Sequence, residues 1–184
     1  RLSLVGSEMC IRDRFFYVVL IIGIHVLPLW SKVLNKKDMS EQKVVICKDL
    51  KSELQDFLSS LKYDKLFILM DTNTKEKCFP LVEDIPAFQK APILVMEAGD
   101  MNKGFVSLAQ IWTALSNEGA SRNSLLVNLG GGMITDMGGF AGATFKRGLK
   151  TVNIPTTLMA SVDAAVGGKT GINFNGLKNE IGSF

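Results

Sequence analysis

The chain has 184 residues, 47% hydrophobic and 21% charged, a balance that excludes disorder as its main state. Folding at this length hides roughly 70% of the unfolded surface, enough for one sizeable core. The 21 Lys+Arg residues against 18 Asp+Glu leave a net charge of +3, and the basic residues are interspersed, so no nucleic-acid footprint is present. Cys10, Cys47 and Cys78 fit neither a disulfide framework nor a zinc spacing such as C-x2-C, which points to a reducing compartment. His25, the single histidine, lies far from the motifs below, so these residues alone build no Ser-His-Asp triad and no multi-histidine metal site.

The first feature in chain order is Phe15 to Trp30, 16 residues without a formal charge. It falls short of the ~20 apolar residues that normally cross a bilayer, and His25 and Pro28 weaken a membrane span further. A signal-type apolar region is the second reading, although no small-residue cleavage pattern follows. The favoured reading is a third: Leu2 to Arg14 (LSLVGSEMCIRDR) looks like translated sequencing adaptor, so residues 1–38 are extraneous and the domain spans 39–184, starting near Met39.

Beyond Met39, short apolar runs alternate with amphipathic stretches, the pattern of βα units around a largely parallel sheet. The fold class is α/β, Rossmann-like, with helices flanking the sheet. Strands are predicted at Val44–Cys47, Leu66–Met70, Ile93–Met96, Leu125–Leu129 and Val152–Ile154, the last stopped by Pro155. Leu50, Leu54, Phe57, Leu58 and Leu61 mark one helix face, and Phe105, Leu108, Ile111, Trp112 and Leu115 another. Asn73 to Pro92, with three prolines, reads as the loosest connection.

Twelve of the 17 glycines lie between Gly130 and Gly182, which concentrates function there. Leu126 to Phe145 reads as a strand, a triple-glycine turn and a helix rich in small residues. Free amides and the positive end of a helix dipole suit a phosphate, and missing Cβ atoms let it approach. Gly138, Gly139 and Gly142 each cost up to ~1 kcal/mol relative to alanine inside that helix, so something needs closeness there; tight packing on a sheet is the alternative. Two fingerprints nearly match. G-x-G-x-x-G fails at Thr135, and its acidic partner comes early, as Asp71; G-x-x-x-x-G-K-[ST], laid on Gly168-Lys169-Thr170, fails at Asp163.

Phe145-Lys146-Arg147-Gly148 and the run NIPTTLMASVDAAVGGKTGINFNGLKNEIGSF complete the set. Together with GGG-x-x-x-D, this pattern closely resembles the 3-dehydroquinate synthase family, in order and spacing from Met39 to Phe184. The resemblance implies the N-terminal domain of that fold, with its helical C-terminal domain missing. It implies an enzyme that oxidises its substrate with tightly held NAD, eliminates phosphate, reduces the product again and closes a ring. In that family the ribose contacts map onto Asp71 and Asn73, and a G-E-x-x-K contact maps onto Gly99, Asp100 and Lys103, with Asp where Glu is usual. Gly131, Gly132, Met133 and Asp136 would cradle the pyrophosphate and nicotinamide ribose, with Thr156 and Thr157 adding hydroxyls; either threonine also suits a helix cap.

For substrate, a phosphorylated sugar acid, the resemblance names Asp163, Lys169, Lys178 and Asn179, with Arg147 reaching a phosphate across a homodimer interface; Lys169 and Lys178 also touch cofactor. Taken alone, each lysine reads as a solvated surface charge. The family's divalent metal, zinc or cobalt, is held by a glutamate and two histidines in its second domain, at positions this sequence does not contain. This chain by itself is therefore expected to bind NAD without turnover. A cytoplasmic location, no nucleic acid and no membrane are expected. The alternatives are an inosose-type sugar phosphate cyclase, a metal-dependent polyol dehydrogenase, which the V-G-G-K-T-G-I-N and K-N-x-I-G runs disfavour, and a membrane-anchored nucleotide-binding module without catalysis.

Overall fold

The apolar runs fold as parallel strands. The computed structural model describes residues 16–21, 43–47 and 49–184. Leu2 to Arg14, the region around Met39 and the rest of Phe15 to Trp30 apart from Phe16–Ile21 lie outside the described residues, and with them most of what bears on the adaptor, anchor and signal readings. Phe16–Ile21 forms strand β1, and Lys43–Cys47 forms β2. Among the described residues no helix is long and apolar enough to cross a membrane.

Helix α1, Leu50–Ser60, begins at Asp49, whose side chain accepts from the Lys51 amide, and it buries Leu54, Phe57 and Leu58. Strand β3 (Leu66–Asp71) leads into a short helix, α2 (Thr72–Lys77). Strand β4 (Ile93–Met96) precedes α3 (Phe105–Asn117), which buries Leu108, Ile111 and Leu115. Strand β5 (Leu125–Gly130) turns through Gly131 into α4 (Gly132–Thr144), and β6 (Lys150–Pro155) follows. The order across the sheet is β2-β1-β6-β5-β3-β4, every pairing parallel. An antiparallel hairpin of β7 (Thr170–Phe174) and β8 (Leu177–Ser183) completes the described chain.

Alternation along β3 divides the core, because successive strand residues face opposite sides of the sheet. Ile68 and Met70 join α1 on one face, whereas Phe67 and Leu69 join α3 and α4 on the other. Asn73 to Pro92 is not a loose connection. It carries most of α2, a 3-10 turn at Phe79–Leu81, and buried Val82, Ile85 and Phe88 that plug the α1 face. The amide of Ile85 bonds the Val82 carbonyl and that of Phe88 the Ile85 carbonyl, so one apolar residue per turn points inward.

The helix glycines also find their reason in the fold. A Cβ on Gly138 would lie 2.1 Å from Asn128 Oδ1 and 2.8 Å from Leu69 Cδ2, and one on Gly142 would lie 2.4 Å from Thr151 Cγ2. What needs closeness at these two positions is the sheet itself, so α4 lies directly on β5 and β6. Asn128 is fully buried and donates to Asn153 Oδ1 at 2.8 Å across those two strands. Gly138→Ala is expected to lower stability by ~2 kcal/mol, because overpacking outweighs the ~1 kcal/mol that alanine gains in helix propensity. Urea unfolding checks this; an unchanged midpoint would show that the helix can lift without loss.

Candidate functional site

The chain leaves β3 towards β4 on one side and leaves β5 towards β6 on the other. The carboxyl ends of these neighbouring strands therefore form a switch point, the place where open α/β sheets leave a crevice for ligands. Asp71 ends β3 on one flank, and Gly130, Gly131 and Gly132 leave β5 on the other. Gly131 caps α4 without a side chain, and its carbonyl accepts from the amides of Ile134 and Thr135. The amides of Gly132 and Met133 consequently have no acceptor within the helix, and they carry the positive end of its dipole. A Cβ on Gly131 would meet Thr157 Cγ2 at 3.2 Å, and one on Gly132 would reach within 3.5 Å of Ala164 Cβ. Hydrogen in place of a methyl keeps this opening clear.

Asp71 has a structural duty as well. Its Oδ1 accepts from the Thr74 amide at 2.8 Å while Thr74 Oγ1 accepts from the Asp71 amide at 3.0 Å, a reciprocal cap for α2. Only one carboxylate oxygen is engaged in that cap. Asn73 is exposed on the first turn of the same helix. Thr72 Oγ1 accepts from the Ala98 amide at 3.2 Å, which ties α2 to the segment after β4.

Lys103 is only 4% exposed, and its Nζ lies 2.5 Å from both Asp136 Oδ2 on α4 and Asn179 Oδ1 on β8. Burial pushes the Asp136 carboxyl above its ordinary range, and Lys103 pulls it back. Asp100, in the turn before Lys103, pairs with Lys178 at 2.8 Å; that hydrogen bond holds its carboxyl below the ordinary range. Lys169 lies 3.6 Å from Asp163, both side chains largely exposed. A cavity of about 380 Å³ is lined by Asp136, Asp163, Lys169, Thr170, Asn179 and Phe184, among others. Asp163 stands on a π-helical turn, Ala160–Ala164, a distortion often found at functional sites.

The fold thus gathers Asp136, Asp163, Lys169 and Asn179 around one cavity, with Lys103 behind it and Asp100 and Lys178 paired at its flank. Thr156 donates its amide to the Gly130 carbonyl at 3.0 Å, and Thr157 Oγ1 accepts from the Ala160 amide at 3.2 Å, so Thr157 does cap the next turn. Arg147 is not brought to the cavity. It is exposed beyond the carboxyl end of the 13-residue α4, about 20 Å along that helix from Gly132.

Asn173 is a member the sequence reading missed. Its Oδ1 accepts from the Asn179 amide at 3.0 Å, and its Nδ2 donates to the Asp100 carbonyl at 3.0 Å. The signal was Asn175-Gly176, whose φ values of 49° and 78° suit a two-residue hairpin turn and place Asn173 opposite β8. Among the described residues no three His, Cys, Asp or Glu side chains cluster as a metal site would require.

Two perturbed carboxylates of the site, Asp136 and Asp100, act on stability in opposite directions. Because the Asp136 pKa is raised, the folded state keeps its proton above the ordinary value near 3.8 while the unfolded state has lost it. Its contribution therefore falls as pH rises from that value through the raised one. The Asp100 contribution, from a lowered pKa, is present above the ordinary value and lost as pH falls through the lowered one. Asp136→Asn is expected to remove the declining slope above pH ~4 and to leave the acid-side loss in place, as urea midpoints from pH 3 to 7 would record.

Residues 93–184 match the sequence profile described as 3-dehydroquinate synthase N-terminal. The chain is similar to the 3-dehydroquinate synthase of Parabacteroides distasonis, 97% identical over 146 residues, covering 79% of this chain and 41% of that protein. It is similar to the 3-dehydroquinate synthase of Pyrococcus furiosus, 45% identical, covering 72% of this chain and 39% of that one. The chain thus spans about two-fifths of these relatives. Its fold resembles 2-epi-5-epi-valiolone synthase from Streptomyces hygroscopicus subsp. jinggangensis, solved with NAD+ and Zn2+ bound, at a TM-score of 0.69 and 25% identity, covering 82% of this chain and 42% of that one. A 2-deoxy-scyllo-inosose synthase complexed with carbaglucose-6-phosphate, NAD+ and Co2+ shares the fold at a TM-score of 0.62 and 22% identity, covering 71% of this chain and 38% of that one. With the glycine turn, the PTTL run and the VGGKTG hairpin all inside the matched residues, the chain belongs to the 3-dehydroquinate synthase family.

Proposed function

We propose that this chain is the nicotinamide-dinucleotide-binding part of a 3-dehydroquinate synthase. The observation that carries the reading is the side-chain-free turn Gly131-Gly132 at the sheet's switch point, with Asp71 ending the adjacent strand. The Gly132 and Met133 amides offer the diphosphate two donors and the end of a helix dipole. Asp71 keeps one oxygen in its cap and offers the other to a ribose hydroxyl, beside Asn73. Asp100 and Lys103, Asp136, and Thr156 and Thr157 surround the remaining cofactor surface. NAD, when bound, supplies a reversible hydride acceptor.

In the complete enzyme we assign Asp163, Lys169, Lys178 and Asn179 to the substrate, 3-deoxy-D-arabino-heptulosonate 7-phosphate, which gives 3-dehydroquinate and phosphate. The two lysines supply cations for a phosphorylated carboxylate, and Asn179 orients it by hydrogen bonds. Arg147, remote from the cavity within its own chain, would serve the cavity of a second copy in a homodimer. The described residues do not themselves compose a site for the family's divalent metal, and no step is assigned to one. We place the family domain at 39–184, to which strand β1 adds from outside by pairing with β2 and β6, and the enzyme in the cytoplasm.

Titrating the folded chain with NAD is expected to show saturable binding. Asp71→Asn keeps the cap acceptor and should weaken binding at least tenfold, and Asp71→Ala should abolish it. Gly132→Ala meets only ordinary van der Waals contact, so it should remove binding with little change in thermal unfolding. A folded chain that binds no NAD overturns the reading. In the full-length enzyme, Lys169→Ala should lower kcat by orders of magnitude, whereas a merely solvated lysine would leave it near normal.

A further inference from the structure

The ammonium of Lys103 has three hydrogens to donate, and two are spent on Asp136 and Asn179, each at 2.5 Å. These acceptors belong to different parts of the site. Asp136 lies on α4, four residues beyond Gly132, and Asn179 lies on the outer strand of the hairpin, 76 residues from Lys103 in sequence. The main chain at Lys103 points the same way, since its carbonyl accepts from the Asn173 amide at 2.7 Å on the inner strand. Asn179 meets Lys103 from a left-handed backbone, φ 55°, a conformation uncommon outside glycine and most tolerated by asparagine. Such a residue persists where its surroundings over-determine it.

From this geometry we propose that Lys103 is a positioning residue that couples the cofactor helix to the substrate hairpin, with Asp136-Lys103-Asn179 as the physical link. The proposal deepens the dinucleotide reading and rests on it for the identity of the ligand. It is additional to the cofactor contact assigned above, because two of the three ammonium hydrogens go to protein groups and the third is left for a ligand. A ligand that steadies the start of α4 steadies Asp136, and through Lys103 it steadies Asn179 and its neighbour Lys178. The hairpin keeps other anchors. Ile172 is 1% exposed in the core, and Asn173 remains tied to the Lys103 and Asp100 carbonyls. Removing the ammonium should therefore loosen β8 without releasing the hairpin.

Amide hydrogen exchange on the whole chain, with and without NAD, tests this. In the unsubstituted chain NAD should slow exchange both at the start of α4 and across residues 177–181. Lys103→Met should speed exchange at 177–181 about tenfold more than in β5 without ligand and, at NAD concentrations that saturate it, abolish the slowing by NAD in β8 while that in α4 persists. Asn179→Gly removes the hairpin end of the link while keeping the left-handed backbone, and it should give the same loss of transmission, which keeps the test decisive if Lys103→Met does not fold or does not bind NAD. NAD protecting β8 equally in both variants overturns the proposal, as does exchange at 177–181 that neither variant alters. Failure of the unsubstituted chain to bind NAD would instead overturn the dinucleotide reading, and the ligand-free exchange rates would still report on the link.

Discussion

The contact on which the rest depends is that of α4 with the sheet. Glycine at positions 138 and 142 lets the helix axis come down onto Asn128 and Thr151, where any side chain would collide. That approach fixes both ends of α4. At its start the Gly132 and Met133 amides lie just beyond the carboxyl end of β5 without helical acceptors; at its far end the chain turns through Phe145 to Gly148 into β6. A helix held one methyl further away would move the dipole end and the position of Asp136 together. Neighbouring Asn128 Oδ1 and Thr151 Oγ1 are buried without partners, so the close fit is kept at some loss of hydrogen bonding.

The site is then built by letting three separate segments converge on that helix. The turn before α3 delivers Asp100 and Lys103, the π-helical turn after β6 delivers Asp163, and the hairpin delivers Lys169, Lys178 and Asn179. None of these segments is a regular element of the main sheet. Their order comes from hydrogen bonds to backbone, chiefly those of Asn173 and Thr157, and so precision is imported from the sheet through α4.

Much of the framework was legible beforehand for a simple reason. Buried parallel strands are near-continuous apolar runs, and amphipathic helices repeat every three to four residues; both patterns survive in β3 to β6, α1 and α3. Sheet order was not legible, since nothing local to β5 says that β3 lies on one side and β6 on the other. Local polar chemistry hid α2, whose sequence TNTKEK has no apolar face and which starts because Asp71 and Thr74 cap each other. In residues 170–183 the glycine and lysine motifs dominate the pattern and mask the Asn175-Gly176 turn between two short strands. The candidate residues themselves follow from family resemblance. Their grouping around one cavity, and the separation of Arg147 from it, required the fold.

The charge pairs divide the site into fixed and exchangeable parts, and burial decides which is which. Lys178 with Asp100 and Lys169 with Asp163 have side chains between 48% and 75% exposed, and such pairs contribute only ~0–1 kcal/mol. An anionic ligand loses little by replacing either carboxylate as the lysine's partner. Lys103 with Asp136, at 5% and 18% exposure, is the opposite case. Removing one member of a buried pair leaves an uncompensated charge at a penalty of roughly 3–5 kcal/mol, so a ligand gains nothing by competing for it. On the reading proposed above, an incoming phosphate or carboxylate would meet the two surface cations, while the buried one holds α4 and β8 together.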